Sequence, residues 1–395
     1  MKMRDSILRH RKTYILLLGS VLGIITLVAT WLKLTGPLKS FDQGPAVYTP
    51  FNNYLIFKSA HFHLAEEKNL YLLYPDEHHD LFKYSPVFAL FFGIFAYLPD
   101  TIGLTLWNLI NVMVFFFVLK RKDAAWSDYF PFLFIFLLPE LITSTQNSQS
   151  NALMTGLLVA TYLDLEKNRP GRAACWTVLA AFIKVYAGLG ALLFLFYPRK
   201  IRFLITAILF TFLLLLLPLL VTTPGQWGAQ YQSWGQLLLQ DHGGSYGLSL
   251  MQLINLVVPG FQYKTMVQIL GILVLLFLAF PLNKMSKDRL NFFSLILLTL
   301  ILFNHKTESA TFIVAVTGVA IWYFSKPRPS GFELSVLIFV FLFTVLGATD
   351  IFPRIVREKW IVPYGIKIWP CILVYCLVCY ELYRSKRLTT RSVIT

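Results

Sequence analysis

The run FLITAILFTFLLLLLPLLV, Phe203–Val221, holds no charged residue. At 1.5 Å per residue it reaches about 28 Å as an α-helix, close to the ~30 Å of a bilayer's hydrocarbon core. VQILGILVLLFLAFPL, Val267–Leu282, repeats the pattern. A helix satisfies its own backbone polar groups inside lipid, so these runs predict an all-α, polytopic membrane protein. Outward from them, apolar segments at 14–34, 102–119, 128–144, 151–165, 290–303, 310–324, 331–348 and 366–383 bring the expectation to about ten spanning helices. They form a single integral membrane domain over 1–395.

Composition agrees. Apolar and aromatic residues make up 56% of the chain and charged residues 14%, well short of the ~25% charge of soluble domains. A mean hydropathy of +0.63 excludes disordered, collagen-like and disulfide-rich secreted classes. The net charge of +15 lies in short loops between apolar runs, which points to topology and anionic headgroups rather than nucleic acid. The four cysteines fall inside apolar segments and read as buried thiols. The basic MKMRDSILRHRK before Tyr14–Leu34 has a signal-like beginning. The apolar stretch is too long for a cleaved signal and lacks a small-residue cleavage site, so a retained anchor helix is expected.

Two stretches do not fit simple spans. Pro86–Pro99 is too short, and Cys175–Phe196 carries Lys184 in its middle with basic loops at both ends. Treated as short re-entrant or broken helices, they let every loop sort by charge. The side holding 1–12, 120–122, 167–172, 199–202, 284–289, 326–328 and 384–391 then carries roughly twice the Lys and Arg of the other. This predicts a plasma or inner membrane protein with both termini cytoplasmic. Six of seven His (His61, His63, His78, His79, His242 and His305) fall on the outer side, which places any chemistry there.

The outer side has two long loops, 35–101 and 222–264. In the first, Asn53–Glu67 reads as an interfacial amphipathic helix, with Asn52 or Asn53 a candidate N-cap. In PDEHHD, a divalent cation held by Asp76, Asp80 and one His is one reading, and a solvated acidic turn is the other. Gln146, Asn147, Gln149 and Asn151 could form a hydroxyl-binding amide cluster or cap helix ends. Lys184 costs several kcal/mol in an apolar stretch unless it is paired or hydrated, so it is a candidate for holding an anion. In the second loop, Trp227, Tyr231, Trp234 and Tyr246 suit either an aromatic belt or sugar stacking, with His242 nearby. Asn304–Ser309 places His305, Lys306 and Glu308 together, as a phosphate site or a helix-end ion pair. Neither a GxxxxGK[ST] nucleotide-binding loop nor an HExxH occurs.

The first loop also carries a resemblance. Asn53-Tyr54-Leu55-Ile56-Phe57-Lys58-Ser59-Ala60, Leu64, Glu66-Glu67, Asn69-Leu70-Tyr71 and Phe82-Lys83-Tyr84-Ser85-Pro86 resemble an Asp-Phe-x-x-Tyr…Tyr-x-Pro run. Trp107-Asn108-Leu109-Ile110-Asn111, Gln149-x-Asn151 and Ala180-Ala181-Phe182-Ile183-Lys184 follow in order. Together they are similar to glycosyltransferase family 87, polyprenyl-phosphate-mannose-type enzymes of the GT-C class. The resemblance implies a GT-C-like bundle and transfer of a hexose from a polyprenyl-phosphate donor to a membrane lipid or glycan on the extracytoplasmic face. It adds Asn53, Lys58, Lys83 and Tyr84 to the candidate substrate contacts. Asn53 stands where the family has its loop Asp, and an amide takes no proton. Asp42 is the first substitute base, followed by Asp76, Asp80 and Glu308. A lipid-linked glycan ligase or polymerase, a flippase, and a non-catalytic relative are the rival readings.

Overall fold

The computed structural model describes residues 11–40, 46–240, 245–280, 285–347, 349 and 351–394, with side chains through 385. The regular structure among its described residues is helical, with one isolated β-bridge between Lys39 and Tyr48. The helices are α1 (Arg11–Leu34), α2 (Asn52–Ala65), α3 (Pro86–Ala96), α4 (Asp100–Leu119), α5 (Phe130–Gln146) and α6 (Asn151–Glu166). They continue with α7 (Pro170–Ile183), α8 (Lys200–Leu216), α9 (Pro224–Gln240), α10 (Leu250–Val257) and α11 (Lys264–Ala279). The last are α12 (Ser286–Leu302), α13 (Ile313–Phe324), α14 (Gly331–Val340) and α15 (Trp369–Ile394). Among the described residues, four segments, Arg11–Leu34, Asp100–Leu119, Ser127–Gln146 and Lys200–Leu220, are long and apolar enough to cross a membrane alone, and further apolar helices are shorter. The chain is a multi-pass helical membrane protein.

Burial separates two kinds of helix. α6, α12 and α13 are buried nearly all round and form the centre. Gly156 brings α6 close to α4, since a Cβ there would sit 3.1 Å from the Phe115 backbone. α1 and α8 instead expose long apolar faces, among them Leu16, Ile24, Ile205, Ile208 and Phe212. Faces this large and apolar are stable against lipid, not water. Cys371 is buried, but Cys175 and Cys379 are half-buried and Cys376 is exposed, which corrects the expectation of four buried thiols.

The loops sort to two ends. Arg11 donates to the Lys120 carbonyl, Lys167 pairs with Asp123 at 3.0 Å, and Arg289 pairs with Glu166 at 2.7 Å. Burial tends to raise the Asp123 carboxyl, but Arg121 and Lys167 outweigh it and bring it down to about 2. At the other end Asn69 meets Ser233, Glu67 meets Thr223, and Gln149 meets Glu308.

Of the two stretches expected not to be simple spans, one is short and the other is broken. α3 has 11 residues, started by Pro86 behind the Ser85 N-cap. α7 stops at Ile183, Lys184 is extended, and a 3-10 helix over Val185–Phe196 follows. α2 forms as expected but is not two-faced: His61 and His63 are buried together with Tyr54, Phe57 and Leu64. Neither Asn caps it. Asn52 instead clamps the His79 backbone, with Nδ2 donating to its carbonyl and Oδ1 accepting its N–H, both at 2.8 Å.

Candidate functional site

Helix ends from three parts of the chain meet at one end of the bundle. The junction between α5 and α6 supplies Gln149 and Asn151, the break after α7 supplies Lys184, and the turn between α12 and α13 supplies Glu308. Ser85 ties the break to the first loop. Its Oγ accepts the Phe88 N–H at 3.2 Å and donates to the Phe182 carbonyl at 2.6 Å, one of the acceptors that a terminated helix leaves open. That contact sets Tyr84 beside Lys184, whose ammonium lies 5.7 Å from the ring centre.

The polar groups then join in one direction. Lys184 Nζ donates to Asn151 Oδ1 at 2.7 Å, and Asn151 Nδ2 donates to Gln149 Oε1 at 2.5 Å. Gln149 Nε2 donates to Glu308 Oε2 at 2.6 Å. Each amide turns its oxygen toward the ammonium and its nitrogen toward the carboxylate, so the dipoles reinforce one another. Asn151 is fully buried and also donates to the Ala310 carbonyl at 2.9 Å. Glu308 is exposed. The arrangement therefore ends in an accessible carboxylate that can take a proton and begins in a half-buried cation that can meet developing negative charge.

The other expected residues take varied places. Tyr84 accepts from Ser150 Oγ at 3.3 Å and stacks on Phe88. Asn53 Nδ2 donates to the Asn147 carbonyl at 2.9 Å, which joins the first loop to the amide junction, and Gln146 lies exposed beside it. His305 is buried against Gln268 at 3.2 Å, and the Lys306 N–H donates to Asn304 Oδ1 in the same turn. Lys58 pairs with Asp100 at 2.6 Å, and Lys83 pairs with Asp80 at 2.8 Å. Burial alone would raise the Asp80 carboxyl, but Lys83 and the Leu81 N–H outweigh it and hold Asp80 below its ordinary value. Tyr231 OH and Trp227 Nε1 both donate to the Leu215 carbonyl where α8 ends, so these tips serve the backbone there. Asp42 and His242 lie outside the described residues. Among the described residues no three His, Cys, Asp or Glu side chains gather as a metal cage, and Asp80 faces Lys83 instead.

Sequence reasoning missed a buried ion pair next to this site. Lys367 Nζ lies 2.7 Å from Glu140 Oε1, with the two side chains 3% and 1% exposed, and donates to Ser309 Oγ at 2.9 Å. Ser309 follows Glu308, so the pair anchors the turn that carries the carboxylate. The signal was available, because Glu140 interrupts the apolar run FLLPELIT as Lys184 interrupts its own.

No curated protein matches the chain. A family model described as glycosyltransferase family 87 matches residues 82–349, more than half of the chain, including every residue of the Lys184–Glu308 array.

Proposed function

The chain belongs to glycosyltransferase family 87, and from that membership we propose that this multi-pass membrane glycosyltransferase moves a mannose-like hexose from a polyprenyl-phosphate donor to a lipid or glycan acceptor. The transfer inverts the anomeric carbon and takes place on the extracytoplasmic face. The bias of Lys and Arg toward the opposite end supports that side, with both termini in the cytoplasm of the cell membrane. Asn53, Tyr84 and Leu248, from the two long outer loops, contact the site's elements.

The observation that carries the reading is the one-way array from Lys184 through Asn151 and Gln149 to Glu308. Glu308 takes the proton of the acceptor hydroxyl as its oxygen attacks the anomeric carbon. The bond from that carbon to the phosphate oxygen breaks, and its electron pair leaves with the phosphate. Lys184, with His305 and Lys306 nearby in sequence to Glu308, offsets the charge that builds there. Asn53 and Asn147 present neutral groups to sugar hydroxyls. Lys83 holds the Asp80 carboxyl below its ordinary value, which weakens Asp80 as a base.

The test uses the full chain in lipid with radiolabelled polyprenyl-phosphate hexoses and a membrane-lipid extract. Label should enter a new product, and Glu308→Gln should lower kcat by about 100- to 10,000-fold with donor binding retained. Loss with Asp42→Asn but not with Glu308→Gln would move the base to Asp42. Donor bound but never consumed would favour a non-catalytic relative or a transporter, and transfer of a preassembled glycan would favour a ligase.

A further inference from the structure

A cavity lies at the other end of the α12–α13 hairpin, about 20 Å along the helices from Glu308. It is an open cleft of about 1130 Å³ framed by the start of α12, the end of α13, the start of α14 and the far part of α15. Its charges are layered. Glu333 and Glu381 share the Lys326 ammonium at 2.5 and 2.6 Å, and Glu381 also accepts from Asn291 at 2.9 Å. Asp288 is buried and accepts from Ser385 at 2.8 Å. The carboxylates are thus satisfied within the protein.

Three further cations, Lys287, Arg328 and Arg384, line the same cleft, are exposed, and form no ion pair with a described residue. The helices at the mouth carry exposed apolar side chains: Phe332, Leu334 and Ile338 on α14 and Tyr380 on α15. A soluble anion has no use for that apolar frame, whereas an amphiphile matches both parts. Basic pockets between membrane helices recognise phosphate headgroups in this way.

We propose that this cleft binds the phosphate headgroup of an anionic phospholipid through Lys287, Arg328 and Arg384, with its acyl chains along the exposed faces of α14 and α15. The site is separate from the Lys184–Glu308 array and does not depend on the transferase reading.

The test measures phosphatidylglycerol retained by the full chain in nanodiscs of phosphatidylcholine doped with phosphatidylglycerol, read by native mass spectrometry. One phosphatidylglycerol per chain should be held in preference to phosphatidylcholine. The combined Lys287→Gln, Arg328→Gln and Arg384→Gln variant should bind it on the order of 100-fold more weakly, at about fivefold per cation. A control with Lys122→Gln, Arg169→Gln and Arg202→Gln removes the same charge at the same end and should stay within about twofold of the parent, because its positions lie outside the cleft. Equal weakening in both variants would overturn the site in favour of a diffuse surface field, and so would equal retention of phosphatidylcholine. Displacement by inorganic phosphate at comparable concentration would reassign the cleft to free phosphate. If the triple variant does not fold, Arg328→Gln alone carries the test, with about fivefold weakening expected and none overturning the proposal.

Discussion

Glu308 owes its position to the turn around it as much as to Gln149. The Leu248 N–H donates to the Thr307 carbonyl at 2.7 Å, so the 245–249 segment lies directly on the 304–308 turn. Gly247 permits that contact: its φ is +54°, and a Cβ there would lie 2.6 Å from the His305 oxygen and 2.7 Å from the Thr307 nitrogen. Gly247→Ala should therefore incur both the left-handed backbone cost, about 1–2 kcal/mol, and a clash that displaces the turn. Gly260 is the control, with φ +78° and open space around it, so Gly260→Ala should incur only the backbone part. Melting in detergent should rank Gly247→Ala below Gly260→Ala, and only the first should lower kcat. Equal melting and equal activity would remove Gly247 from the support of the site.

Among the elements, the ends matter more than the spans. α7 closes at Lys184 and α5 ends at the Gln146–Asn151 junction, so polar side chains emerge where backbone groups also need partners. The Glu140–Lys367 pair locks α5 to the segment ahead of α15 and reaches Ser309. Removing one partner leaves an uncompensated buried charge, so Lys367→Met should destabilise by about 3–5 kcal/mol. Adding Glu140→Leu to that variant should recover most of the loss, because an apolar pair of similar volume avoids the desolvation of both ions. Thermal unfolding of the single and double variants measures this. A double variant no more stable than Lys367→Met would show that Glu140 and Lys367 do not act as a coupled pair.

At the scale of the whole molecule, the first loop is held by titrating contacts and should respond to acid. Burial alone would raise Glu77, but His63 and Ser59 outweigh it and bring it below its ordinary 4.5, and Lys83 acts likewise on Asp80 against an ordinary 3.8. Burial lowers the His78 imidazole below its ordinary 6.5, against an opposing pull from Glu77. All three therefore bind protons more readily in the unfolded loop. Their contributions are complete above the ordinary values and are lost as pH falls through the lowered ones, first below 6.5 for His78 and then below about 4 for the carboxylates. Hydrogen exchange of residues 74–84 should rise on acidification in that order while the bundle core stays protected. Unchanged exchange down to pH ~3 would show that these contacts do not hold the loop.

The membrane class, the broken segment at Lys184 and the polar junction at 146–151 can be read from the chain alone. A bilayer restricts length and composition along each contiguous segment, so a lone Lys or a cluster of amides stands out against an apolar run. The same rule marks Glu140 but does not name Lys367, and the amphipathic look of 53–67 concealed a helix buried on most sides. Gln149 and Glu308 stand 159 residues apart, as do Asn151 and Ala310. A hydrogen bond acts over about 3 Å in space and is indifferent to distance along the chain, so only the packing of α5, α6, α7, α12 and α13 decides which polar groups meet.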